Sequence, residues 1–246
     1  MAPRRHRALF LDVGDTLVYP HPSAAELMAG ICREAGFPVT AGQFEAVEAT
    51  VGPRILERQR AATELYSISM DNSRRFWTWV YGEILGELDA PAALRERLTL
   101  RFHECFNTLE TWRLFDDSIP TLEALQPLRQ SGLVMAIISN WEDWLDALLA
   151  HLEVDRYFDF AIISAGMQLE KPDPAIFRAA LDRAGVRAGE AMHVGDSIHA
   201  DIEGAHNVGI DPVFLDRRGR FTGRAEQLPT GTHIIHSLSE LPPLLG

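Results

Sequence analysis

The chain has 246 residues, 46% of them hydrophobic and 24% charged, ordinary values for a soluble globular protein of one large or two modest domains. Its 23 basic and 35 acidic residues leave a formal charge of -12, which argues against nonspecific binding to nucleic acid or to an anionic membrane. No apolar run reaches the roughly 18 residues of a bilayer span, and Ala8 to Leu11, behind a basic N-terminus, is too short for a signal-peptide core of about 7–15 residues; a cytoplasmic location is expected.

The run Ala8 to Leu11 predicts a buried strand ending at Asp12. Gly14 breaks it, Pro20 and Pro22 mark a loop, and Ser23 is placed as N-cap of a helix running toward Glu34. Gln43 to Leu65 carries Phe44, Val47, Val51, Ile55 and Leu56 at helical spacing, with Gly52-Pro53 expected to kink or split it. Asp71-Asn72-Ser73 offers caps for a helix holding Val80, Ile84 and Leu85, and Pro91 to Phe106 predicts another. Phe76, Trp77, Trp79 and Tyr81 are expected to pack this helical segment's own core. Cys32 and Cys105 lie far apart, in no metal-ligand spacing, and read as core thiols.

The pattern then changes. Strands are predicted at Leu133 to Ile138, Phe160 to Ser164, Ala191 to Val194 and Pro212 to Leu215. Helices alternate with them at Trp141 to Leu152, Pro174 to Ala184 (terminated by Gly185) and Ile198 to Asn207. Such alternation indicates a parallel sheet covered on both faces. The first strand precedes the helical segment and its partners follow it. The expected architecture is therefore an α/β, Rossmann-like doubly wound core from residues 1–17 and 112–246, with a helical domain, 18–111, inserted in the first crossover.

Ligands of doubly wound sheets bind at the C-terminal strand edges. Those edges carry Asp12, then Ser139-Asn140, then Asp196, with Lys171 in the loop before a helix. Carboxylates hold Mg2+ through oxygen, and a lysine neutralises phosphate as a point charge. A metal and one lysine can thus admit a small anion despite the acidic whole. Asn140 is placed as the N-cap of the Trp141 helix and as a further substrate contact. His193 reads as part of its strand, His199 and His206 as solvated or capping, and Arg74-Arg75 and Arg217-Arg218 as solvated surface.

The ordered set Asp12-Val13-Gly14-Asp15-Thr16, Ser139 closing Ile137-Ile138-Ser139, Lys171 before Pro172, and Gly195-Asp196 with Asp201 resembles the four motifs of the haloacid dehalogenase superfamily. The resemblance covers about residues 8 to 220 and implies a hydrolase with a helical cap between the first and second motifs. It implies Asp12 as the nucleophile forming an aspartyl-phosphate. Mg2+ would be held by Asp12, Asp196 and the Gly14 carbonyl. Ser139 and Lys171 would contact the phosphoryl group of a small phosphorylated metabolite, Asp201 would act through bound water or the lysine, and Thr16 would support the nucleophile loop. Family phosphatases place an aspartate two residues after the nucleophile as general acid; here Gly14 stands there, and Asp15 is expected to point elsewhere. Leaving groups that need little protonation, such as aryl or acyl phosphates, are favoured by that departure. The alternatives are metal-free dehalogenation of a haloacid, or a catalytically weak protein retained for binding or regulation.

Overall fold

The computed structural model describes residues 6–61, 64–219, 221 and 225–245. In chain order these form β1 (Ala8–Leu11), β2 (Val18–Pro20), α1 (Ala24–Glu34), α2 (Ala41–Ala61), α3 (Met70–Glu87), α4 (Ala92–Phe106), β3 (Trp112–Leu114), α5 (Ser118–Gln130) and β4 (Val134–Ser139). There follow α6 (Leu145–His151), β5 (Phe160–Ile163), α7 (Ser164–Met167), α8 (Pro174–Ala184) and β6 (Ala191–Gly195). A π-helical turn (Ile198–Glu203) runs into α9 (Gly204–Asn207), and β7 (Asp211–Leu215), β8 (His233–Ile235) and α10 (Pro242–Leu245) complete the chain. Two compact units result: Met1–Tyr19 with Leu114–Gly246, and Pro20–Arg113.

The first unit is built on a six-stranded sheet in the order β5-β4-β1-β6-β7-β8, parallel throughout. All four residues of β1 are fully buried, which is why that strand is an unbroken apolar run and not an alternating one. Phe10 lies opposite Ala136 and His193, and Leu11 opposite Ile137 and Val194. This register brings Asp12, Ser139 and Asp196 out at one edge. The chain passes from β1 to β4 and β5 on one side and returns to β6 on the other. The strand order therefore reverses at β1, where a crevice opens outside the carboxyl ends.

α8 is bounded as its sequence dictates. Asp173 caps it through Ala175 N–H at 2.8 Å, and Gly185 ends it in the left-handed region at φ 65. Its apolar residues Ile176, Phe177 and Ala180 pack with Phe10, Ala136 and Ile138 in one core cluster.

The second unit is helical. Met28, Cys32, Phe44, Tyr81, Leu85, Leu98 and Phe102 form its core, and Ser23 caps α1 by accepting from Glu26 N–H. Phe76 and Tyr81 are buried in this unit, whereas Trp77 is exposed and Trp79 is half-buried under the Arg58 guanidinium. Cys32 is a core thiol whose burial pushes its pKa up to about 11; Cys105 is half-buried.

Several sequence expectations need correction. α2 runs unbroken through Pro53, the fully packed Val51 anchoring the turn before the proline; residues 62 and 63, where its predicted continuation lies, are outside the described residues. The cap of α3 is Ser69, which accepts from Asn72 N–H, so Asp71, Asn72 and Ser73 fall inside the first turn. α6 begins at Leu145 and not at Trp141, and Trp144, without a side-chain cap, precedes it. The predicted helix 198–207 opens as a π-helical turn. Six elements escape the pattern altogether: α5, which carries Pro127, the three-residue strands β2, β3 and β8, and the four-residue helices α7 and α10.

Candidate active site

Asp12 leaves the end of β1 with its N–H donating to the Val194 carbonyl at 2.9 Å. The turn after it is tight. Thr16, Leu17 and Val18 all donate N–H to the Val13 carbonyl, and Asp15 takes φ 50 to close it. From outside, Arg217 fixes the turn. Its guanidinium donates to the Thr16 carbonyl at 2.7 Å and to both oxygens of Asp117 at 3.0 Å, and stacks over Phe115. The reading of Arg217 as solvated surface is thus overturned, because its partner Asp117 lies 100 residues away.

Lys171 is the hub of the cluster. It is 4% exposed, and its ammonium has three donors to place. They go to Asp12 Oδ1 at 2.6 Å, Asp201 Oδ1 at 2.6 Å and the Ile138 carbonyl at 2.8 Å. Ser139 Oγ donates to the same Asp12 Oδ1 at 2.9 Å. Among the described residues Asp12 Oδ2 accepts nothing, so one oxygen of this carboxylate is held and the other is open.

Asp201 is fully engaged. Besides Lys171 it accepts from His193 Nε2 at 2.9 Å and from Ser197 N–H at 3.0 Å. The π-helical turn delivers this side chain beneath Gly195, where a Cβ would lie 2.2 Å from Asp201 Cγ. Gly195→Ala is therefore expected to cost about 1–3 kcal/mol through overpacking and to displace Asp201 from Lys171. Urea denaturation alongside turnover measures both effects.

Asn140 caps no helix. Its Oδ1 accepts from Lys171 N–H at 2.7 Å and its Nδ2 donates to the Lys171 carbonyl at 2.9 Å. The amide thus grips the lysine's main chain. Thr16 is buried, and its hydroxyl has no partner among the described residues; its main chain carries the loop contacts. Gly14 makes an isolated bridge with Val18.

The electrostatics follow from burial and charge. Burial opposes the Lys171 charge, but Asp12 and Asp201 outweigh it and raise its pKa. Burial would likewise raise Asp201, yet Lys171 and the His193 bond hold it down at about 2. Burial lowers the His193 pKa, so the neutral ring donates from Nε2 to the carboxylate. For Asp12, burial and then Asp201 outweigh Lys171, and the pKa is raised. Asp196 is raised well above the usual carboxylate value by burial and by the charges of Asp15, Asp12 and Asp201. Asp15 is exposed, and its negative charge contributes to the raised Asp196 pKa.

The signs for stability are opposite within this cluster. Asp201, depressed, contributes stability that is complete above the ordinary pKa of 3.8 and is lost as pH falls toward 2. Asp12 and Asp196, raised, destabilise the fold once ionised. A thermal-melting series from pH 5 to 2 is expected to show an acid loss that Asp201→Asn lacks.

Carboxylate oxygens of Asp12, Asp196 and Asp201 lie within 4.8 Å of one another. Three hard oxygen donors at this spacing suit a magnesium-like cation, and the raised Asp12 and Asp196 would be relieved by one. Asp201 already accepts three hydrogen bonds, which leaves Asp12 and Asp196 as the principal ligands. His199 bonds Glu203 at 2.8 Å instead of joining a metal cluster.

A family model described as haloacid dehalogenase-like hydrolase matches residues 6–209. The human haloacid dehalogenase-like hydrolase domain-containing protein 3 is 32% identical over 97% of this chain and 93% of its own. Shorter matches include a ribulose-1,5-bisphosphate 5-phosphatase of Halopiger xanaduensis, 35% identical over 56% of this chain and 59% of its own, and (S)-2-haloacid dehalogenase 4A of Burkholderia cepacia, 36% identical over 50% and 53%. Among solved structures, the HAD-hydrolase YfnB of Bacillus subtilis superposes with a TM-score of 0.71 over 99% of this chain and all of its own, at 20% identity. Among the described residues no helix is long and apolar enough to cross a membrane.

Proposed function

The chain belongs to the haloacid dehalogenase-like hydrolases, and from that premise we propose that it is a Mg2+-dependent phosphatase acting on a small phosphorylated metabolite. The supporting observation is the pair Asp12 and Asp196, whose crowded negative charge calls for a cation, beside an ammonium whose donors are all placed. Mg2+ held by these two carboxylates would offset charge on the phosphoryl oxygens.

Asp12 supplies the nucleophile. Lys171 and Ser139 hold its Oδ1 and so fix the carboxylate plane. A carboxylate oxygen bonds to phosphorus as the bond from phosphorus to the leaving oxygen breaks, giving an aspartyl-phosphate. Water then attacks that phosphorus, releasing inorganic phosphate and restoring the carboxylate. Lys171 is kept in reach of the phosphoryl group by the Asn140 clamp and by Asp201, and Asp201 is steadied by His193.

Displacement of halide from a 2-haloacid is the rival chemistry, since relatives of both kinds exist. Displacing halide calls for no cation, whereas the crowded charge of Asp12 and Asp196 does, and that favours phosphoryl transfer. The test is a panel of phosphate esters, acyl phosphates and 2-haloacids, each with Mg2+ and with a chelator. Phosphate release that the chelator abolishes is expected. Chloride release indifferent to the chelator, with no phosphate release, would overturn the proposal.

A further inference from the structure

In an in-line displacement the leaving group points away from the attacking carboxylate, outward past the loops that follow the strands. Next to Asp12 those are the turn 13–16 and the segment 140–144. The turn offers no side chain at Gly14. A Cβ built there would meet Cζ3 of Trp141 at 3.3 Å and, its chain neighbours aside, no other heavy atom of the described residues within 4 Å. An indole edge thus already faces the point where a side chain at this position would begin.

Trp141 is held firmly in place. Its N–H donates to Ser164 Oγ at 2.9 Å, its carbonyl accepts from the same hydroxyl at 2.9 Å, and its ring packs edge-on to Trp144 with centroids 5.3 Å apart. The residue is 8% exposed and directly follows Ser139-Asn140, whose side chains touch Asp12 and Lys171. The neighbourhood of the nucleophile therefore presents an aromatic edge where a side chain at position 14 would crowd the indole by a few tenths of an ångström.

Resting on the phosphatase reading, we propose that Trp141 is a specificity-determining residue: its indole, seated against Gly14, selects phosphates whose leaving group is planar, apolar and weakly basic, an aryl phosphate over an alkyl one. The flat ring stacks or packs edge-on to the indole, and a weakly basic oxygen departs without the proton that a carboxyl at position 14 would have supplied. Gly14 and Trp141 are coupled, because a Cβ at position 14 would press on the indole edge at 3.3 Å.

The experiment compares para-nitrophenyl phosphate, glycerol phosphate and acetyl phosphate in wild type, Trp141→Leu, Trp141→Phe, Gly14→Asp and the double variant Gly14→Asp with Trp141→Leu. Trp141→Leu is expected to lower the aryl-to-alkyl ratio of kcat/KM about tenfold, through KM for the aryl ester. Acetyl phosphate, which has no ring, should change less than about twofold and so reports on folding and chemistry. Trp141→Phe, which keeps an aromatic face, should retain most of the ratio. The double variant should turn over the alkyl ester faster than Gly14→Asp alone, in which the indole edge remains. An unchanged ratio in Trp141→Leu with acetyl phosphate still hydrolysed would overturn the role of Trp141 and leave the phosphatase reading intact. Failure of the wild type on all three phosphates would overturn both.

Discussion

Asp12→Asn is expected to abolish turnover, by at least about 10^3-fold, while leaving the fold as stable as wild type or more so. The two halves of this expectation come from one physical fact. The carboxylate is buried beside Asp201, and its raised pKa means that the folded state disfavours its charge. A neutral isostere removes that penalty along with the nucleophile. Ser139 and Lys171 keep an oxygen to donate to, since the amide retains one, and Lys171 keeps Asp201. Phosphate release and a thermal melt on the same preparation check both halves. A melting temperature that fell with the activity would show that Asp12 is a structural ion-pair partner.

Lys171→Met should do the opposite to stability. It deletes the buried charge that joins Asp12 to Asp201 and strips the Ile138 carbonyl of its donor. Breaking a buried ion pair from one side costs about 3–5 kcal/mol, which for a chain of this size lowers the melting temperature by roughly 10 °C or more. Turnover should fall by about 10^2–10^3-fold, the usual cost of removing an electrostatic donor to a developing charge. Lys171→Arg is not expected to rescue either property. The planar guanidinium cannot direct three donors to the corners that a tetrahedral ammonium reaches. Chemical denaturation and single-substrate kinetics decide this, and a Met variant of unaltered stability would mean that the lysine is solvated.

The strands and the site were legible in the sequence to different depths, for reasons that particular residues make plain. β1 is readable to the residue because both its faces are covered, which forces four consecutive apolar side chains. α8 is readable because its local chemistry closes it at both ends, at Asp173 and Gly185. Asp12, Ser139 and Asp196 are found because a parallel sheet puts its polar residues at strand ends, where the register aligns them, and Lys171 because it stands before Pro172 in the loop that leads into α8. What stayed hidden depends on partners distant in the chain. His193 looks like one more strand residue until Asp201 is seen under it. Asn140 looks like a helix cap because its real partner, the Lys171 main chain, is 31 residues on. Arg217 looks like surface charge until it meets Asp117 and Thr16. Short strands such as β8 give too few residues for any period to register, and the prolines of α5 mask a helix that its burial of Leu122 and Leu125 stabilises. The indole against Gly14 belongs to the same class, because no local pattern tells which side chain fills the space that a glycine leaves.

The central claim is that Asp12 itself takes up the phosphoryl group. Mixing the protein with acetyl phosphate and Mg2+, quenching in acid within milliseconds and mapping the peptides by mass spectrometry tests it most directly. One phosphoryl mass on the peptide carrying Asp12, absent with a chelator and absent from Asp12→Asn, is the expected result. Steady hydrolysis with no label on that peptide at any quench time, or label on the Asn variant, would contradict it.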